Sequence, residues 1–255
     1  MTSAQPITRI ADTLALVEDC VKDLISYPAA TSQPCIAVDL EGVDLCRHGR
    51  VCLVQMKANH SRIIWLLDIT VLGRTAFDHP SSDGTTVRDI LQSTSIKKIL
   101  FDVRRDAEAL YHIYDIDMHN VCDLQIVEIA ARQSNRNRTQ FVKGLARTIT
   151  DYLSPGAEWT LIKERGVALF SPREGGSFEA FERRPLDPAI VEYSAQDVAL
   201  LASLEARMMS RFGSFTSSRY SWGHRIQVAS EKRLTEAKSP IYDGEGRHRA
   251  LAPVI

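Results

Sequence analysis

The chain has 255 residues, 44% hydrophobic and 25% charged, with a formal net charge of −1. That balance excludes wholesale disorder and a uniformly basic binder of polyanions, so any contact with nucleic acid must come from locally segregated Lys and Arg. Five cysteines, an odd number with no C-x-x-C pair, argue against a disulfide framework and a structural zinc site and fit small buried thiols in a reducing compartment.

The N-terminal MTSAQPITRI lacks an apolar core of signal-peptide length, and no stretch approaches the ~20 apolar residues of a membrane span. The expectation is an intracellular protein, cytoplasmic or nuclear, without a membrane partner. Over 9–27, apolar residues at Ile10, Leu14, Val17, Val21 and Leu24 follow a helical period, so 1–33 reads as an N-terminal helical extension. From Pro34 the pattern becomes strand-like: CIAVDLEGVDL, RVCLVQMKA and RIIWLLDI are separated by HG and NHS turn signals and predict three sequential antiparallel strands. TVRDILQST reads as a short helix, IKKILFD as a buried strand, RRDAEALYHIYDI as an amphipathic helix and NVCDLQIVEIAARQ as a strand entering a helix.

The Arg-, Asn- and Gln-rich segment 132–147 joins two helices, and 155–180, with Pro155, Gly156, Pro172, Gly175 and Gly176, reads as a loop-rich excursion around one short helix. LDPAIVEYSAQDVALLASLEARMMSRF predicts one long helix, with Asp187 as cap and Pro188 in its first turn. The resulting division is a domain over 34–212 followed by a polar, basic C-terminal extension over 213–255. Three leading strands followed by alternating helix and strand imply an α/β fold with a mixed sheet flanked by helices.

Within AVDLEGV, Asp39 and Glu41 stand two residues apart, so strand alternation sends both carboxylates to one face. Two acids on one face of a central strand oppose each other's ionisation unless a cation intervenes; at a sheet edge they would simply face water. Asp106 and Asp102 both follow the strand KKIL near its carboxyl end, and spacing alone does not choose between them. In EYSAQDVALL, Tyr193 and Asp197 share a helical face. The seven histidines, His48, His60 and His112 among them, form no ligand-spaced cluster.

These residues carry a resemblance. VDLEGVDLCRHGRVCLVQM (38–56), KKILFDVRRDAEALY (97–111) and RRPLDPAIVEYSAQDVALL (183–201) resemble, in order, the three motifs of the DEDD 3′-to-5′ exonucleases with a tyrosine in the third motif. The similarity is strongest to the ribonuclease D, Werner-type and Egalitarian-like branch and spans about residues 34 to 211. It implies a ribonuclease-H-like fold whose mixed sheet leads with three antiparallel strands, and its register selects Asp106 over Asp102. It further implies two Mg²⁺ or Mn²⁺ ions held by Asp39, Glu41, Asp106 and Asp197, with Tyr193 orienting the attacking water. The tryptophan that the family often carries ahead of R-P-L is replaced by Phe181 or absent, and 155–180 is long.

The expected substrate is a 3′ end of single-stranded nucleic acid, RNA favoured over DNA. Arg132, Arg136, Arg138, Lys143 and Arg147 offer a backbone-binding track with Phe141 as a stacking face, or else a solvated helix junction. Leu40 and Val43 would wedge against terminal bases or pack in the core. The C-terminal extension offers a surface for RNA or a protein partner. The competing class is a catalytically weak or inactive exonuclease-fold adaptor in an RNA-processing or RNA-silencing complex, against which the retention of all four acids counts.

Overall fold

In the computed structural model, which describes residues 6–28, 33–134, 139–212 and 221–255, the β-rich runs after Pro34 form the middle of one sheet. The chain order is β1 (Ile7–Ala11), α1 (Leu14–Ile25), β2 (Cys35–Val43), β3 (Arg50–Ala58), β4 (Ile63–Asp68), the short helices α2 (Ile69–Leu72) and α3 (Thr75–Asp78), α4 (Val87–Gln92), β5 (Lys97–Leu100), α5 (Arg104–Tyr114) and β6 (Val121–Asp123). Helices α6 (Leu124–Ser134), α7 (Leu145–Leu153), α8 (Ala157–Phe170), α9 (Pro188–Ala199), α10 (Leu201–Met209) and α11 (Trp222–Lys238) complete it. The sheet runs β1-β4-β3-β2-β5-β6. β2, β3 and β4 are antiparallel as expected, while β1 joins β4, β5 joins β2 and β6 joins β5 in parallel.

Strand alternation divides the apolar core into two layers. Ile36, Val38 and Leu40 of β2 pack with Val17, Ile90 and Leu110 on one side, whereas Ala37 belongs to the layer containing Ile126, Ile129, Val198 and Leu204. Asp39 and Glu41 share the parity of Ala37, which aims them toward the α6, α9 and α10 side. The described helices include none long and apolar enough to cross a membrane.

Four element expectations are corrected. Residues 7–11 are an edge strand, not the start of a helix: Ile10 pairs with Leu66, and Thr13 caps α1 by accepting from the Leu16 N–H. The spacing Ile10–Leu14 suits a helix but arises from a strand residue and a helix residue on either side of that cap. The stretch 155–180 holds a 14-residue helix, α8, rather than a short one. The helix capped by Asp187 breaks at Leu200 into α9 and α10.

The fourth correction concerns the residues beyond 213, which carry α11 as well as polar chain. Its Ile226, Leu234 and Ala237 are buried, and its Arg233 guanidinium lies 2.6 Å from Asp123, which is fully buried at the end of β6. Asp123 also accepts from the backbone N–H groups of Asp102, Val103 and Gln125, which steadies Asp102 in its left-handed conformation at φ 62°. Arg233→Met keeps the packed stem and removes the charge. It should lower stability by about 2 to 3 kcal/mol, less than the ~3 to 5 typical of a broken buried pair, because three backbone donors stay on Asp123. Urea unfolding measures it; an unchanged midpoint would mean that α11 is held by apolar packing alone.

Candidate active site

β2 carries the first two acids to the centre of the sheet. Asp39 sits opposite Gln55 of β3, and the register shifts between Glu41 and Gly42, a bulge that re-aims the side chain beside it. A Cβ at Gly42 would lie 1.9 Å from the Arg50 carbonyl oxygen, so the close approach of the two strands there requires glycine. On α9, Asp197 follows Tyr193 by one helical turn. Carboxylate oxygens of Asp39, Glu41 and Asp197 come within 4.8 Å of one another.

Bringing them together is electrostatically costly. Burial raises Asp39 well above the usual carboxylate range, and repulsion from Asp197, Asp106 and Glu41 adds to it. Glu41 is raised for the same reasons, burial first and Asp197 next. Asp197 is buried and also raised, chiefly by desolvation, even though a lysine pairs with it. Among the described residues its Oδ2 is buried with no hydrogen-bond partner, as are both amide atoms of Gln55. A carboxylate cluster with an orphaned oxygen is a donor set that could hold a hard divalent cation.

Asp106, in the first turn of α5, lies outside that triad but lines a cavity of about 220 Å³ together with Asp39, Phe101, Arg105, Tyr242 and Gly244. Burial raises it, with Asp102 and Asp123 contributing. Asp102 is spoken for by Arg104 at 2.5 Å and Arg233 at 3.4 Å, whereas no ion pair engages Asp106 among the described residues. The segment bearing Tyr242 and Gly244 is pinned by Arg47, which donates to the carbonyls of Ala237, Ser239 and Pro240 and pairs with Glu108. The C-terminal residues thus wall the Asp106 side of the cavity.

Sequence reasoning missed three participants. Lys163 of α8 places Nζ 2.5 Å from Asp197 Oδ1, 3.3 Å from the Tyr193 carbonyl oxygen and 3.6 Å from the centre of the Tyr193 ring. A single lysine on a helix has no sequence signature for this reach. Arg184 grips Asp68 of β4 with two nitrogens and donates to the Phe181 carbonyl, tying the entry to α9 onto the sheet. Gly166 lets α8 lie against α9: a Cβ there would meet Tyr193 Cβ, Cγ and Cδ2 at 2.5 Å. A glycine inside a helical pattern is the available signal for that third one. Phe170, edge-on at 4.9 Å, and Phe181 complete the box around the tyrosine ring.

Gly166→Ala should therefore separate the two helices or displace the ring. We expect a stability loss of about 1 to 3 kcal/mol, the usual cost of overpacking and opposite in sign to the gain alanine gives an exposed helix. Thermal melting checks it, and a raised midpoint would contradict this packing.

The expected nucleic-acid contacts fare differently. Leu40 and Val43 are 4% and 6% exposed and belong to the apolar cores, so a wedge against bases is replaced by packing. Lys143 lies 3.3 Å from buried Glu128 and 2.9 Å from Asp151, while Arg132 pairs with Glu128 and Arg147 with Asp151. These three cations of the basic track are thus engaged within the chain by two acids. Arg136 and Arg138 lie outside the described residues. Phe141 is exposed, on a backbone bridge to Leu251.

A family model described as 3′-5′ exonuclease matches residues 8–212. Among curated proteins, the piRNA biogenesis protein EXD1 of Homo sapiens is 24% identical over 179 residues, 69% of this chain and 32% of that protein. Its Bombyx mori counterpart is 26% identical over 173 residues, 68% of this chain and 49% of that protein. The chain thus spans about a third to about a half of these relatives' length. Among solved structures, Trypanosoma brucei RNase D in complex with RNA U12 superposes with a TM-score of 0.72 at 18% identity, covering 97% of this chain and 77% of that one. Brucella melitensis NrnC with bound Mg²⁺ gives 0.61 at 18% identity, covering 95% and 100%. At such identities the structures speak to the fold, a ribonuclease-H-like exonuclease fold.

Proposed function

The chain belongs to the 3′-5′ exonuclease family, and from that membership we propose that it shortens single-stranded nucleic acid from the 3′ end, RNA in preference to DNA, with two Mg²⁺ or Mn²⁺ ions. The observation that carries the reading is the convergence of Asp39, Glu41 and Asp197 around an unpartnered buried oxygen. Such a donor set suits hard divalent cations. Asp39, Glu41 and Asp197 would hold them on the side of the attacking water, and Asp39 with Asp106 on the side of the leaving oxygen. When bound, the ions supply an acidified water and charge stabilisation at phosphorus.

The remaining work falls to the chain. Without metal, burial drives the Tyr193 phenol far above its ordinary range, with Asp197, Glu41 and Asp39 adding repulsion, which suits a hydroxyl that orients water by hydrogen bonding rather than acting as a base. Gly166, Phe170 and Phe181 hold the ring to that task, and Arg184 fixes the chain entering α9. The preference for RNA draws on the RNA carried by the RNase D neighbour and on the piRNA role in the relatives' name.

Matched 5′-labelled RNA and DNA oligonucleotides test it. We expect stepwise shortening with Mg²⁺ or Mn²⁺, none in EDTA and little with Ca²⁺, whose coordination is longer and looser. Release of internal fragments from a circular substrate would remove the exonuclease reading. A second reading, an exonuclease-fold adaptor in an RNA-processing or RNA-silencing complex, is favoured by the ammonium of Lys163 on Asp197. It predicts RNA retained on the protein and not shortened under the same conditions.

A further inference from the structure

Lys163 brings positive charge into a centre otherwise built from carboxylates, and it comes from α8, which carries none of the four acids. Its ammonium is buried and fully engaged by Asp197 Oδ1, the Tyr193 carbonyl and the Tyr193 ring, as a buried charge must be. Two divalent ions alone balance four carboxylates, so an ammonium retained beside them leaves the centre with surplus positive charge. Oδ1 of Asp197 is occupied by Lys163 while Oδ2 is bare. A divalent cation approaching Asp197 must either sit beside the ammonium, at a like-charge cost, or drive it away. The side chain has a place to go: Lys163 also lines a cleft of about 440 Å³ between α7 and α8, whose walls carry two carboxylates, Glu164 and Glu174, against one cation, Arg147.

We propose that Lys163 is a resident counter-ion of the carboxylate centre, displaced from Asp197 when a divalent cation loads, so that metal binding and retreat of the ammonium are one exchange. This rests on the metal-dependent reading above and specifies how the same site is filled. The exchange holds the acids together without metal and weakens metal affinity by the cost of evicting the lysine.

The test uses the full chain, wild type and Lys163→Met, with free Mn²⁺ followed by electron paramagnetic resonance and thermal unfolding followed in EDTA and in Mn²⁺. Lys163→Met should bind Mn²⁺ about tenfold or more tightly, since no ammonium then has to be driven off Asp197 before the ion can take its place. It should also melt lower than wild type in EDTA and gain more from added Mn²⁺. Should the variant not fold, acetylation of wild-type lysines by acetic anhydride, read by mass spectrometry, gives the same answer. Lys163 should react slowly in EDTA and several-fold faster with saturating Mn²⁺, relative to the exposed Lys232. Equal Mn²⁺ affinity in the two proteins, or acetylation indifferent to Mn²⁺, overturns the exchange and leaves the metal-dependent reading intact. Absence of Mn²⁺ binding in both proteins overturns the two together.

Discussion

Asp39→Asn should lose 3′-end shortening by about a thousandfold or more, the scale of removing a group on which water activation depends, and should at the same time be more stable than wild type in EDTA. The two effects have one cause. Asp39 is raised by burial, and then by Asp197, Asp106 and Glu41. A carboxylate whose folded pKa lies above its unfolded value binds more protons in the native state across the interval between the two. Native stability is therefore full below the unfolded value, ~3.9, and is lost as pH rises from there through the raised folded value. Above that unfolded value, gathering the buried acids costs the metal-free protein stability, through charge repulsion or through the protons it must take up. Asparagine keeps the shape and removes the titrating group, for an expected gain of about 1 to 2 kcal/mol. Mn²⁺ should reverse the order by stabilising wild type and leaving the variant where it was. Urea unfolding with and without metal measures both halves, and a variant less stable than wild type in EDTA would identify Asp39 as a structural residue.

The parts of this centre that are legible in the sequence are those set by local periodicity. Period two in β2 puts Asp39 and Glu41 on one face, and the four-residue spacing puts Tyr193 and Asp197 on another, because neither depends on what packs against the element. The choice of Asp106 over Asp102 needs the family register; in the structure Asp102 is engaged by Arg104 and Arg233. β1 is hidden because five residues with one strand partner show little alternation, and their apolar spacing runs on into α1. Lys163 is hidden because its reach is set by Gly166 seating α8 against Tyr193, a tertiary contact with no local trace. The internal pairing of the basic segment is partly readable. Glu128–Arg132 and Arg147–Asp151 are i,i+4 pairs, and their spacing alone lowers the charge that the segment can offer to phosphate.

Tyr193→Phe separates an orienting hydroxyl from a packing ring, because the structure gives the ring every contact that phenylalanine can keep. Phe170 meets it edge-on, Phe181 lies beside it, Gly166 abuts it and the Lys163 ammonium sits 3.6 Å from its centre. None of these needs the oxygen, so folding should change by less than about 1 kcal/mol. What is lost is one donor to the attacking water, and turnover should fall roughly ten- to a thousandfold, the range for one positioned catalytic group. Mn²⁺ affinity should hardly move, since the phenol keeps its proton and offers the cation no charge. Asp197→Ala is the contrasting variant: it removes a carboxylate ligand and strands the buried ammonium of Lys163, so it should weaken metal binding and cost about 3 to 5 kcal/mol of stability. Single-turnover release of the 3′-terminal nucleotide, alongside Mn²⁺ titrations of wild type and both variants at one salt concentration, distinguishes the roles. Wild-type rates in Tyr193→Phe would return the tyrosine to the core and leave water orientation to the carboxylates.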